Sequence, residues 1–226
     1  MKILVTGASG FIGSRVVSKL LSLSSSLHLS NNSYKILCLT RNKESLKVRY
    51  EKYKDAIEIA AVDVNDYSQL IKAMNGVNIA FYLIHSMEGF SKEWKKFSQR
   101  DRMAAENFAK AATECRVGRI IYLGGLIHQE GKEEYSKLSD HMRSRKEVGD
   151  ILRRSSARVT IFCAAVILGH GGGFFHMLEY LVKRLPAMVC PKWVLTKSQP
   201  ISVDDVVEYL VRSIDVKETE GMDFDI

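Results

Sequence analysis

An eight-residue run near the start of the chain, Thr6-Gly7-Ala8-Ser9-Gly10-Phe11-Ile12-Gly13, separates a short apolar segment (residues 2–6) from one of helical period (residues 11–23). Three glycines at this spacing, between a strand and a helix, describe a turn too tight for side chains. Gly7 permits the sharp bend, Gly10 leaves the backbone open to an approaching anion, and Gly13 lets the helix pack directly on the strand. The helix N-terminus that follows presents unpaired N–H groups and the positive end of its dipole. A loop of this kind cradles the pyrophosphate of a dinucleotide. Gly7, Ser9, Gly10, Phe11, Ile12 and Gly13 are therefore the first candidate cofactor-binding residues.

Beyond the loop, short β-branched or aromatic runs alternate with longer segments of helical period. Strands are expected at residues 2–6, 35–39, 57–62, 78–83, 119–123 and 158–163, and helices at 11–23, 43–54, 67–74, 92–115 and 139–154. Such alternation is the signature of βαβ units around a parallel sheet. The expected fold class is thus α/β, a doubly wound parallel sheet of the Rossmann NAD(P)-binding kind with a small C-terminal lid-like region. Residues 1–165 form the dinucleotide-binding domain. Residues 166–226 form a lid or substrate region of the same domain, with a flexible loop at Gly169-His170-Gly171-Gly172-Gly173 and helices at 174–185 and 203–214. Phe174, Phe175, Met177 and Trp193 read as core. The closing Phe224-Asp225-Ile226 has the look of a strand just begun, as in a piece of a longer chain. The Ser- and Asn-rich residues 24–33 form a surface loop.

The formal net charge is +7, but lysines and arginines are scattered and interleaved with acids, as in Arg145-Lys146-Glu147. This pattern is a solvated basic surface that also draws an anionic cofactor, and it does not point to nucleic acid. Cys38, Cys115, Cys163 and Cys190 are widely separated, with Cys38 and Cys163 inside apolar runs. That usage fits free thiols in a reducing compartment, and no Cys/His spacing offers a metal site. The N-terminus runs straight into a strand, and no apolar run approaches the roughly 20 residues that span a bilayer. The expected location is the cytoplasm.

The end of the second strand ordinarily selects the dinucleotide. An acid there binds the ribose 2′-hydroxyl and repels a 2′-phosphate. Here Leu39-Thr40-Arg41-Asn42-Lys43 offers cations, and Arg41 favours NADP(H) over NAD(H). Asp63 and Val64 follow the third strand, where a carboxylate can accept from the adenine amino group and an aliphatic side chain can cover the ring. Leu83, Ile84 and His85 follow the fourth, beside the ribose and pyrophosphate. For His85 a satisfied structural role stands level with a cofactor contact.

With these residues in place, the chain resembles the extended and atypical short-chain dehydrogenase/reductases. Within them it is most similar to the NmrA-like NAD(P)-binding proteins and the nucleoside-diphosphate-sugar epimerase-like proteins. The likeness rests on the glycine motif, Asp63-Val64, Arg119-Ile120-Ile121-Tyr122-Leu123 and Pro200-Ile201-Ser202-Val203-Asp204-Asp205-Val206. Tyr82-Leu83-Ile84-His85-Ser86-Met87 and the segment 138–145 add to it.

The resemblance implies a Ser on the loop after the fifth strand and a Tyr-x-x-x-Lys helix, the Tyr passing a proton and the Lys lowering its pKa. This chain has Leu123-Gly124-Gly125-Leu126 at the loop, and on the helix His141 stands at the Tyr position and Arg145 at the Lys position. The literal Tyr50-Glu51-Lys52-Tyr53-Lys54 falls after the second strand, far from any nicotinamide, and Tyr135 and Lys137 have the wrong spacing. His141 is a candidate proton donor and Arg145 a candidate ligand of the nicotinamide ribose. Two functions follow. One is an NADP(H)-dependent oxidoreductase or epimerase-like enzyme acting on a small carbonyl or hydroxyl compound. The other is a non-enzymatic NADP(H)-binding redox sensor, or a regulatory or assembly protein with a protein partner.

Overall fold

The computed structural model describes residues 1–26, 34–85, 94–126, 139–184 and 197–226. Six strands follow the expected alternation: β1 (Lys2–Val5), β2 (Lys35–Thr40), β3 (Ile57–Ala61), β4 (Ile79–Tyr82), β5 (Arg119–Gly125) and β6 (Arg158–Ala164). Between them run α1 (Phe11–Ser26), α2 (Lys43–Arg49), α3 (Tyr67–Met74), α4 (Trp94–Glu114) and α5 (Asp140–Leu152). After β6 come β7 (Val166–Leu168), α6 (Gly173–Arg184), β8 (Pro200–Ser202), α7 (Val203–Arg212) and β9 (Asp223–Asp225). Polar side chains start four of the helices. Asn42, Asp66, Ser139 and Ser202 accept from the N–H groups of Ser45, Gln69, Met142 and Asp204, satisfying donors that a helix leaves unpaired.

The strands pair in parallel in the order β3-β2-β1-β4-β5-β6-β9, so the fold is a doubly wound parallel sheet. Both faces are covered, which explains why β4 is buried along its whole length. On one face α1, α2 and α7 enclose a core with Val16, Leu20, Leu46, Tyr50, Val206 and Leu210. On the other, Leu70, Met74, Phe108, Ala112, Val148 and Leu152 from α3, α4 and α5 pack on the sheet. Because β1 lies between β2 and β4, the chain reverses direction across the sheet there. This opens a crevice at the carboxyl ends of β1 and β4.

Four expectations are corrected. The helix expected over 43–54 stops at Arg49, because Tyr50 turns into the core and donates to the Ser14 carbonyl at 3.3 Å; Glu51–Tyr53 continue as a 3-10 turn. In the loop 169–173, described as flexible from its glycines, Gly169 and Gly172 answer to packing. Built Cβ atoms there would lie 3.3 and 3.0 Å from the Phe11 ring, and at Gly169 only 2.4 Å from Val203. Phe174 and Met177, expected in the core, are 44% and 47% exposed, and α6 buries none of its residues. Trp193 lies outside the described residues.

Finally, much of the segment 166–226 belongs to the main body. α7 fills the α1 face of the core, and β9 extends the main sheet beside β6, with Phe224 stacked on Phe162 at 5.4 Å. Among the described residues of this segment, the small parallel pair β7–β8 and α6 lie outside the main sheet. The signal for β7 and β8 is three residues each, too short for periodicity to register.

A buried arginine fastens this C-terminal part to the sheet. Arg119, 3% exposed at the start of β5, donates to the Thr160 hydroxyl at 3.0 Å, to the Ser213 carbonyl at the end of α7, and to the Thr219 hydroxyl. Replacing it by a methionine of similar length leaves the Ser213 carbonyl without its guanidinium donor. Arg119→Met is expected to cost about 1–3 kcal/mol of stability. Urea unfolding measures this as a lower midpoint at unchanged slope. A loss below about 0.5 kcal/mol, the range of an ordinary surface change, would show that the clamp is dispensable.

Candidate functional site

The glycine turn is built by close backbone contacts. Gly7 has φ +64, the left-handed region that favours glycine, and a Cβ there would sit 2.7 Å from the Leu83 carbonyl oxygen. A Cβ on Gly13 would fall 2.1 Å from the Gly7 oxygen. Gly10 differs. It is exposed, its N–H donates to the Gly7 carbonyl at 2.9 Å, and a Cβ would meet only that oxygen, at 3.2 Å. Packing demands glycine at 7 and 13, whereas at 10 the open side of the backbone faces the crevice. Ser9 is exposed beside it; Phe11 and Ile12 are half-buried and pack against the core. This bare, N–H-rich turn at the start of a helix fits a pyrophosphate.

Thr6, which the sequence reading quoted without assigning a role, splints the turn to β4. Its buried hydroxyl donates to the Phe81 carbonyl at 3.1 Å and accepts from the Leu83 N–H at 2.8 Å. Leu83 packs into the α1 face and Ile84 into the opposite one, so both support the crevice from below.

Arg41 lies exposed in the turn between β2 and α2. Asp63 is exposed after β3, where its carboxylate accepts from the backbone and side-chain N–H groups of Asn65 at 2.9 and 3.0 Å. Val64 is half-buried, and its carbonyl accepts from Asn107 of α4 at 3.3 Å, while Asn107 also donates to the Asn65 carbonyl at 3.0 Å. Asn107 thus fixes the loop that carries Asp63 and Val64. It gave no signal in the sequence, since its partners are backbone atoms more than 40 residues away.

The other side of the crevice holds a titratable cluster. The His85 and His141 rings lie edge to face with centroids 4.8 Å apart, and His85 Nδ1 is 3.4 Å from a carboxylate oxygen of Asp101 on α4. His141 comes from the first turn of α5, and Arg145 follows four residues later on the same face, its carbonyl accepting from the Tyr122 hydroxyl at 3.0 Å. Burial pushes the His141 pKa down to about 4, with the nearby His85 and Arg145 adding to it and Asp101 opposing. Burial also lowers His85, against the pull of Asp101. Both imidazoles are therefore neutral near pH 7. Among the described residues, the Asp101 carboxylate is the polar group that faces His85 Nδ1, and Nε2 is enclosed without a hydrogen-bond partner.

Asp101 was missed in the sequence. Its signal was an acid on the stripe it shares with Ala105, Phe108 and Ala112, positions that otherwise face the core of α4. At Gly125 a built Cβ would lie 2.9 Å from the Met142 methyl group and 3.1 Å from its sulfur, so that methionine occupies space a longer side chain would need. Tyr50 is spent on the α1–α2 contact, and Tyr135 and Lys137 lie outside the described residues. Among the described residues there is no metal-ligating cluster, and no helix is long and apolar enough to cross a membrane.

The NmrA-like family matches residues 1–217. The chain belongs to that family. This NmrA-like protein has the NAD(P)-binding Rossmann fold of the short-chain dehydrogenase/reductases. Three solved structures illustrate the likeness, each covering 100% of the chain. Pen from Bacillus thuringiensis superposes with a TM-score of 0.76 at 13% identity over 68% of its own length. UDP-glucuronic acid 4-epimerase from Bacillus cereus, in complex with NAD, does so at 0.76, 16% and 78%. A short-chain dehydrogenase/reductase superfamily protein from Agrobacterium tumefaciens with bound NAD gives 0.72, 13% and 77%. At such identities the likeness is one of fold. No curated protein sequence matches the chain.

The two kinds of glycine in the turn predict opposite outcomes. Gly13→Val drives side-chain carbon into the Gly7 backbone and should cost at least the 1–3 kcal/mol typical of overpacking, roughly, seen by thermal or urea unfolding. Gly10→Val should fold normally yet lose dinucleotide binding measured by calorimetry. Tight binding by a well-folded Gly10→Val protein would remove the turn from the site.

Proposed function

We propose that this NmrA-like protein binds NADP(H) across the glycine turn and works as an oxidoreductase or epimerase-like enzyme on a hydroxyl- or carbonyl-bearing small molecule. That class includes the nucleotide sugars named for its structural neighbours. The observation that carries the proposal is the gathering of His141, His85, Asp101 and Arg145 at the same carboxyl edge of the sheet as the turn. Gly7, Ser9, Gly10 and Gly13 would hold the pyrophosphate, Arg41 the 2′-phosphate, Asp63 and Val64 the adenine, and Leu83, Ile84 and His85 the ribose side. When bound, the nicotinamide supplies or accepts hydride.

The chain's own work is then with the proton. A neutral His141 imidazole takes the proton from a substrate hydroxyl as that carbon becomes a carbonyl, and returns it in the reverse direction. Arg145, beside it, disfavours a second positive charge and keeps the imidazole in its basic form; it also offers donors to a ribose. The exposed Arg41 gives a charge-assisted contact that a carboxylate at this place would forbid. Free thiols and the reducing environment they fit make the cytoplasm the proposed location.

A second reading is a non-enzymatic NADP(H) sensor or assembly protein. The Met142 thioether beside Gly125 favours it, because it fills the place of a hydroxyl that would orient a substrate.

Calorimetry should show NADPH binding more tightly than NADH by about the 1.5–3 kcal/mol of a hydrogen bond to a charged group, and Arg41→Glu should reverse the order. Equal affinities in the unmutated protein would overturn the role of Arg41. In a screen of carbonyl and hydroxyl substrates, His141→Ala should lower turnover by about 10²–10⁴-fold with cofactor affinity nearly unchanged. A His141→Ala protein with full turnover would exclude the imidazole. Cofactor binding that weakens in Arg145→Ala, with no turnover in any variant, would favour the sensor.

A further inference from the structure

Asp101 is the group that the proposed reaction does not use. A carboxylate on the core-facing stripe of α4 carries a large desolvation penalty and is tolerated there only with a partner. Its side chain is 14% exposed, and the His85 ring, 11% exposed, stands against it at 3.4 Å. On its far side the His85 ring meets His141 edge to face, at 63° and 4.8 Å. Three elements thus place a carboxylate, an imidazole and a second imidazole in sequence: α4, the exit of β4, and the first turn of α5. The ring between them is enclosed, with Nδ1 towards Asp101 and, among the described residues, no hydrogen-bond partner at Nε2. Among the described residues, the other ionisable groups facing the pair are Arg145 from α5 and the phenols of Tyr82 and Tyr122 from β4 and β5. Burial holds both phenols neutral.

We propose that Asp101 and His85 are positioning residues for His141. The carboxylate turns the His85 ring with Nδ1 towards α4, and that ring both seats the His141 imidazole at the crevice and takes the first proton that the pair accepts. This rests on His141 being the proton-handling group, but its content is the coupling, which exists without any substrate. Two imidazoles this close do not both charge easily, so they titrate as a pair. As pH falls, the first proton goes to His85, which has the carboxylate beside it. Burial holds His141 neutral until the pH is near 4, and the resulting imidazolium and Arg145 add to that by repelling a second proton. The protein therefore keeps His141 as a free base over the whole physiological range. The positive charge that His141 takes on with a substrate proton lies near the Asp101 carboxylate, which opposes the burial penalty.

The test is an NMR titration of the imidazole resonances in the cofactor-free full chain, from neutral pH towards the acid limit of folding, with the amide spectrum confirming the fold of each variant. Asp101→Asn should lower the proton affinity of His85 roughly tenfold, and Asp101→Glu should restore it. His85→Gln should raise the proton affinity of His141 by a similar roughly tenfold factor, because the competing charge is gone. Should His85→Gln fail to fold, His85→Asn gives the same reading, a rise at His141. If the two imidazoles titrate independently, and neither Asp101→Asn nor removal of either ring moves the other, the proposal is overturned. Coupled titration without turnover would sink the enzymatic reading and leave this one standing. Turnover with independent titration would do the reverse. In an active protein, the acid limb of the kcat profile should move to higher pH in His85→Gln, a displacement that a merely structural role for His85 would not produce.

Discussion

At the first turn of the chain, helix α1 and the end of β1 meet backbone to backbone, with room for a hydrogen and nothing larger on Gly13. That contact decides where α1 points. With the helix held so close, its N-terminus opens directly over the carboxyl ends of β1 and β4, and Gly7 in turn lies against the Leu83 carbonyl. The Thr6 hydroxyl closes the same seam from beneath with one donated and one accepted hydrogen bond. Backbone packing and anion recognition are here one piece of geometry. The turn that lets the layers approach is the turn that leaves N–H groups facing outward.

The exit of β4 serves both halves of the crevice within three residues. Leu83 belongs to the glycine turn and the α1 core, Ile84 to the core under α4 and α5, and His85 to the charged cluster. Beneath that cluster lie Tyr82, Phe108 and Tyr122, with the Tyr82 ring 4.9 Å from Phe108 and 6.0 Å from Tyr122. An apolar floor of this kind strengthens the fields of the groups above it. Asp101 and Arg145 bring opposite charges to the two neutral rings, so a short-range electrostatic arrangement is set up with little net charge.

The architecture was legible because it is written locally. Strand and helix periods and the glycine spacing each act over a few residues, and together they fix the sheet, the turn and the neighbourhood of Arg41, Asp63 and His85. The register of α5 was also readable, since His141 and Arg145 four apart must share a face. What was not legible depends on contacts between distant segments. Asn107 acts on residues more than 40 positions away and no periodicity announces it, while Asp101 shows only as an acid on an apolar stripe, with nothing to name its partner 16 positions away. The aromatic α6 was misjudged for a related reason. Phe174 and Met177 have core-like chemistry, but burial is decided by what lies opposite, and among the described residues no element covers them.

The two ends of the main sheet carry a further consequence. β3 at one end bears Glu58, exposed and 3.4 Å from Lys2, and β9 at the other is three residues long with Asp223 and Asp225 flanking the inward Phe224. An open strand is a template on which another copy can add its own, and a parallel sheet that grows this way becomes a filament. Here β3 carries the single acid Glu58 and β9 carries two, so two β9 rims brought together would face charge against charge. In the described sheet, the acids at 223 and 225 disfavour such pairing at β9, while Arg153 pairs with Asp223 and keeps it seated on its own molecule.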